Sequence, residues 1–187
     1  PITVSRSGYT GEDGFEISIS TSDVRKFVEI LLNDPDVGLV GLGARDALRL
    51  EAGLCLYGQD LSKEVTPVEA SLSWVISKRR REEGNFPGFE LIKEQLVNGI
   101  KKCRVGISPF GKAPARAGCE IFVNGDRKIG SITSGGYSPT LERPIAMGYV
   151  EEAFSKIGTE VLLSVRGKYL PAKVVDLPFV SPKYFRK

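Results

Sequence analysis

Glu120 to Thr133 reads EIFVNGDRKIGSIT. Two short runs rich in β-branched and aromatic residues, Glu120–Val123 and Lys128–Thr133, flank the turn sequence Asn124-Gly125-Asp126. Such runs suit a pleated, half-buried strand, and Asn-Gly takes the left-handed backbone a tight hairpin needs. The texture continues on both sides from Lys101 onward, in Cys103–Ile107, Ile145–Val150, Glu160–Val165 and Ala172–Leu177. Ser134-Gly135-Gly136 and Arg166-Gly167-Lys168 read as further turns. Strand signals recurring about every eight to twelve residues predict a small antiparallel barrel or sandwich.

The chain ahead of Lys101 is different. Pro1–Arg6 (PITVSR) and Phe15–Ser20 (FEISIS) alternate as strands do, the second with Phe15, Ile17 and Ile19 on one face and Glu16, Ser18 and Ser20 on the other. Between them RSGYTGEDG packs three glycines and two acids into a loop. Ser22 or Asp23 is placed to N-cap a helix through about Leu32, stopped by Asn33-Asp34-Pro35. A second helix is expected within Gly41–Gly53, with Leu42, Leu48 and Leu50 apolar and Arg45, Asp46, Arg49 and Glu51 polar. Pro67–Ile76 runs into the single Trp74 and the basic run Lys78–Arg81. Phe86-Pro87-Gly88 opens a third helix to about Val97, closed by Asn98-Gly99. The change of texture there sets the expected boundary: residues 1–98 and residues 99–187.

Composition narrows the chemistry. The 187 residues hold no histidine, which excludes His-based triads and the common zinc proteases. A net charge of +3 is too small to call for nucleic acid or an anionic membrane. No run approaches the roughly 18 apolar residues of a spanning helix, and no charged-then-apolar leader opens the chain, so neither is expected. Cys55, Cys103 and Cys119 form no CxxC and read as reduced, small buried hydrophobes; no His/Cys cluster suggests a metal. Because the first residues read as a strand already under way, the chain is expected to be the C-terminal part of a longer protein.

Three constellations carry candidate chemistry. The Gly8–Gly14 loop lacks the Lys-Ser/Thr of a phosphate loop, and Glu12 and Asp13 would repel phosphate, so a hairpin turn is the simpler reading. Glu16, just past it, could hold the N–H edge of a heterocycle. Gly43-Ala44-Arg45-Asp46 is either a surface ion pair of little consequence or a guanidinium fork held for a carboxylate; the residues alone do not choose. Lys78–Arg81, followed at once by two glutamates, reads as a solvated face in preference to an RNA site.

The blocks SRSGYTGEDGFEIS (5–18), GLGARDALRLEAGLCLYGQDL (41–61), TPVEASLSW (66–74), RKIGSITSGGYSPTL (127–141), IAMGYV (145–150) and LPFVSPKYF (177–185) resemble, in order, the C-terminal half of the glycine cleavage T-protein family. That resemblance implies an α+β fold: the later portion of a folate-binding α/β lobe (1–98) followed by a C-terminal antiparallel β-barrel (99–187), with a second lobe upstream. It implies a tetrahydrofolate-dependent aminomethyl transfer from the lipoylated H-protein, with folate as substrate and no metal, nucleic acid or membrane. The family's catalytic aspartate belongs to the upstream half, so Asp13 and Asp46 do not take its role. The folate contacts implied are Glu16, Arg45 and Tyr184, with Tyr9 near the pterin; Tyr184 would explain an ordered C-terminal segment. Trp74 and Arg143 are weaker candidates, the first expected in the core and the second at the surface. The alternative is a folate-binding module or paralogue without transferase chemistry, though the KGCYxGQE-type motif of tRNA-modifying paralogues is absent. The blocks LRLEAGLCLYG and SLSWVISKRRR look closest to mitochondrial and α-proteobacterial members, which sets a mitochondrial matrix or bacterial cytoplasmic location.

Overall fold

A computed structural model describes residues 1–185. Strands β1 (Ile2–Ser5) and β2 (Glu16–Ile19) form an antiparallel pair in which Ser5 faces Glu16 and Ile2 faces Ile19. Helices α1 (Val24–Leu32), α2 (Leu42–Glu51), α3 (Lys78–Glu83) and α4 (Phe89–Asn98) follow. The remaining strands are β3 (Lys102–Pro109), β4 (Glu120–Val123), β5 (Arg127–Ser138), β6 (Arg143–Glu151), β7 (Glu160–Val165) and β8 (Lys168–Val175). They close into a six-stranded antiparallel barrel in the order β3-β6-β5-β4-β7-β8. Closure, and not a two-sheet sandwich, removes every exposed edge.

The barrel is filled by alternate residues of each strand. Cys103, Val105 and Ile107 point in from β3, Ile129 and Ile132 from β5, Ala146 and Val150 from β6, Val161 and Leu163 from β7. The other face of β6 turns outward, yet Ile145 and Met147 are as buried as the core, because Leu50 at the end of α2 packs on them. β3 is likewise buried on both faces, with Arg104 on the outward side. The region ahead of the barrel therefore sits on the β3–β6–β5 wall through α2 and the segment after it.

Four buried charged residues, Arg49, Glu51, Asp60 and Arg104, make that junction. Asp60 has no exposed surface and accepts from Arg49 Nη1 (2.9 Å), the Leu56 N–H (2.9 Å), Ser134 Oγ (2.8 Å) and Thr133 Oγ1. Neighbouring strand residues ordinarily face opposite sides, but the β5–β6 register shifts between Ile132 and Ser134, and this bulge lets both hydroxyls reach one carboxylate. Glu51, 4 % exposed, accepts from the Thr140 N–H (3.0 Å), Thr140 Oγ1 (2.7 Å) and Ser138 Oγ. Arg104 donates to Ala70 O (2.9 Å), Gly53 O (3.0 Å) and Met147 Sδ (3.1 Å).

Several expectations change. β5 continues through Ser134-Gly135-Gly136, which do not turn; a Cβ on Gly135 would lie 1.9 Å from Ala115 O, so glycine is there for close backbone approach. The last strand runs Lys168–Val175 because Arg166 (φ 51°) and Gly167 (φ 76°) alone make the hairpin turn. Burial in α2 follows its C-terminal end and not one polar or apolar side: Arg49, Leu50 and Glu51 are enclosed while Leu42 is 80 % exposed. Asp23 stands at the N-cap of α1 but its carboxylate accepts from Ser20 Oγ and caps nothing. Phe86-Pro87-Gly88 precedes α4, which starts at Phe89. The basic run forms α3, capped by Ser77, with Lys78–Glu82 and Arg79–Glu83 pairs on its solvent face. Trp74 is 74 % exposed and lies outside the core. The alternating face of β2 is not buried either, Phe15 being 65 % exposed and Ile17 39 %. Cys103 is buried, whereas Cys55 and Cys119 are partly so. Arg143 lies at the surface as expected. Among the described residues no helix is long and apolar enough to cross a membrane.

Removing the Asp60 carboxylate leaves the Arg49 guanidinium, only 3 % exposed, without its buried counter-charge and with only the half-exposed Asp46 to pair with, and it leaves the Leu56 N–H and two hydroxyls without their acceptor. Asp60→Ala is therefore expected to destabilise by about 3–5 kcal/mol. Asp46→Ala, which cuts an ion pair whose carboxylate is 53 % exposed, is expected to cost under about 1 kcal/mol. Urea unfolding of the two variants beside the parent checks the contrast.

Candidate functional site

The loop between β1 and β2 is held at its base by two exposed contacts. Arg6 forks onto Asp13 at 2.8 and 3.2 Å, and Ser7 Oγ donates to Glu16 Oε2 at 2.6 Å. Its middle rests on the end of α2. Gly11 is buried at φ +78°, and a Cβ there would come within 2.7 Å of Ala52 Cβ, so the position needs glycine on both counts.

That seat places Tyr9. Its hydroxyl donates to Cys55 O, and its ring receives the Arg45 guanidinium at 4.9 Å from the ring centroid. Partial burial raises the Tyr9 pKa, so the phenol stays protonated as a donor at neutral pH. Tyr9 and Arg45, with Leu42, Asp46, Arg49 and Gln59, line an open pocket of about 380 Å³. Arg45 and Asp46 do not pair with each other: Asp46 takes Arg49 Nε at 2.8 Å, one turn along α2, and Arg45 stacks on the tyrosine.

The other two candidates flank the same loop. Glu16 begins β2, exposed and tied to Ser7. Tyr184 is 40 % exposed and is brought beside the loop by its neighbour Lys183, whose N–H donates to Gly11 O at 2.9 Å. Neither is among the lining of the Tyr9–Arg45 pocket. Gln59 and Arg49 join that pocket without having been singled out for it. Gln59 carries no local signal; Arg49 could be found from the four-residue spacing to Arg45, which puts both on one helix face. Trp74 falls on a separate groove of about 520 Å³ between the lobe and the barrel. Among the described residues no group of His, Cys, Asp or Glu is arranged to hold a metal ion.

An antiparallel barrel carrying a lobe whose glycine-rich loop and helix converge on an aromatic–guanidinium pocket defines a two-part α+β protein. Sequence models sharpen this. The model described as the GCVT N-terminal domain matches residues 1–80, and that described as the glycine cleavage T-protein C-terminal barrel domain matches residues 102–181. The chain belongs to the glycine cleavage T-protein family. It is 50 % identical over 97 % of its length to the mitochondrial aminomethyltransferase of Dictyostelium discoideum, of which it covers 47 %. It is 49 % identical over its whole length to that of Solanum tuberosum, of which it covers 46 %. The crystal structure of glycine cleavage system aminomethyltransferase T from Bartonella henselae superposes with a TM-score of 0.95 at 47 % identity, across 99 % of this chain and 51 % of that one. The chain thus spans about half the length of the relatives it matches.

Burial raises the Cys55 and Cys103 thiol pKa values, which lowers the thiolate fraction at any given pH. Iodoacetamide labelling of the folded protein at pH 8, followed by peptide mapping, is expected to be slow at both. The rate should climb only as pH rises further, while in denaturant all three cysteines react alike.

Proposed function

We propose that this chain supplies the folate-binding and barrel portions of an aminomethyltransferase of the glycine cleavage system. Residues 1–98 are the later part of the folate lobe and 99–187 the barrel. The whole enzyme takes the aminomethyl group carried as a thioether on the lipoyl arm of the H-protein. Folate N5 attacks the methylene carbon, ammonia leaves, and 5,10-methylenetetrahydrofolate and dihydrolipoyl H-protein result. The family's catalytic aspartate comes from the other half, and this half binds and orients. The observation that carries the reading is the Tyr9–Arg45 stack, formed by a loop and a helix far apart in sequence at the mouth of one pocket.

The chemistry of each residue suits folate. Ionised Glu16 accepts the paired N–H donors of a pterin edge. Arg45 retains its fork for a carboxylate of the folate tail while its face lies on Tyr9, and Tyr9 and Tyr184 offer flat apolar area with polar tips. A pocket of about 380 Å³ falls in the size range of ligand sites. The exposed apolar side chains of β1, the β1–β2 loop and α1, among them Val4 (56 %), Phe15 (65 %) and Ile30 (59 %), are the surface on which the rest of the lobe packs. Relatives named mitochondrial support the mitochondrial matrix for a eukaryotic source, and the Bartonella structure the bacterial cytoplasm for a bacterial one.

The test uses the full-length protein with tetrahydrofolate and aminomethyl-loaded H-protein, measuring methylene-folate and ammonia together with calorimetric folate binding. Glu16→Gln and Arg45→Ala are each expected to weaken folate binding roughly 10- to 100-fold, the effect of losing a charge-assisted hydrogen bond, with the melting temperature unchanged. Parent-like binding in both variants would remove the site assignment. Folate binding by the parent without product would favour a binding module instead.

A further inference from the structure

Glu12 and Asp13 are the residues of the loop that the pocket leaves unexplained, and both act on the chain's C-terminal segment. Lys183 pairs with Glu12 as an isolated parallel bridge; its N–H reaches Gly11 O at 2.9 Å and its ammonium lies 3.8 Å from Glu12. Two residues on, the Phe185 ring sits against the Arg6 guanidinium, 5.4 Å from centroid to carbon. Arg6 is itself fixed by the fork onto Asp13. Further back the Val180 N–H donates to Glu51 O at 3.0 Å. The Lys183 ammonium is 76 % exposed and adds little. The backbone bridge and the Phe185–Arg6 contact are the ties that hold.

Tyr184 lies between those two ties. With the Lys183 backbone and the Phe185 ring both held to the loop, the chain at Tyr184 is fixed from either side. We propose that Asp13, Arg6 and Phe185 form a latch that positions Tyr184 for folate binding, an inference that rests on the folate site proposed above. Asp13 fixes the guanidinium, the guanidinium seats the Phe185 ring, and the ring fixes the backbone of its neighbour. These are positioning residues, and none of them touches substrate.

The experiment is steady-state turnover of the full-length protein against tetrahydrofolate, with loaded H-protein saturating and thermal denaturation in parallel. Phe185→Leu keeps apolar bulk but loses the ring, and Asp13→Asn frees Arg6 without altering the C-terminal segment. Each is expected to raise the KM for tetrahydrofolate about two- to fivefold, with kcat and Tm held, which is the worth of one exposed cation–π contact. Phe185→Tyr restores the parent KM. In a Tyr184→Ala background, Phe185→Leu adds nothing, because its effect runs through Tyr184. An unchanged KM in both single variants, or increments that multiply in the double variant, overturns the latch and leaves the folate site standing. A parent protein that neither binds nor turns over tetrahydrofolate overturns the site and the latch together.

Discussion

A carboxylate with no exposed surface is stable only when hydrogen bonds and an opposite charge replace the water it has lost, and Asp60 is that carboxylate here. It is answered by one guanidinium, one backbone N–H and two hydroxyls. Two of these come from β5, the others from α2 and the turn that follows it. Its own carbonyl accepts from Tyr149 Oη at 2.8 Å, on β6, and burial pushes that phenol far above its ordinary range. One side chain thus joins barrel wall, helix and turn. Arg45 stands one turn before Arg49 on α2, so the same bond that seats Arg49 sets where Arg45 enters the pocket.

Glu51 and Arg104 repeat the arrangement at either side. Glu51 holds the β5–β6 connection through Thr140, while its backbone carbonyl takes the Val180 N–H, so the C-terminal segment and the barrel meet on the last residue of α2. Arg104 spends its donors on the carbonyls of Gly53 and Ala70, which lie in irregular chain with no ladder to satisfy them. Apolar packing at this junction is confined to Leu50, Ile145 and Met147 with a few partners. Polar networks of this kind fix one docking angle where a small greasy patch would tolerate several.

The barrel was legible because its signals are local: alternation within a strand and turn residues at each end act over a few positions. It blurred where a contact distant in sequence overrode them. Ser134-Gly135-Gly136 has turn composition, yet the chain runs on as strand because Ala115 and Asp60 both need it there. The polar residues of α2 divide between solvent and interior: Arg45 and Asp46 are exposed. Arg49 turns inward to Asp60 and Glu51 to Ser138 and Thr140, which no helical pattern reveals. Asp60 itself gave no sign, since its hydroxyl partners stand more than seventy positions away. Of Glu16, Arg45, Tyr9 and Tyr184, the first two stood out as residues beside a glycine-rich loop and at a helix start, and family resemblance supplied the two tyrosines and the folate role of all four. The structure brings the middle two into contact and leaves the other two beside the loop.

The pocket's charge follows from the same buried bond. Arg45, Asp46 and Arg49 line it, so a count by sequence would find one carboxylate for two cations. Arg49 is already matched by Asp60 and shares Asp46 as well, whereas among the described residues Arg45 makes no ion pair and offers only its face to Tyr9. An arginine stacked on a ring keeps its N–H edges free, and stacking fixes their plane. Asp46, drawn along the helix to Arg49, cannot also quench it. The result is a single directed cation beside an aromatic wall. That combination suits the flat, carboxylate-ended ligand proposed above, and it is seated by a residue, Asp60, that does not line the pocket.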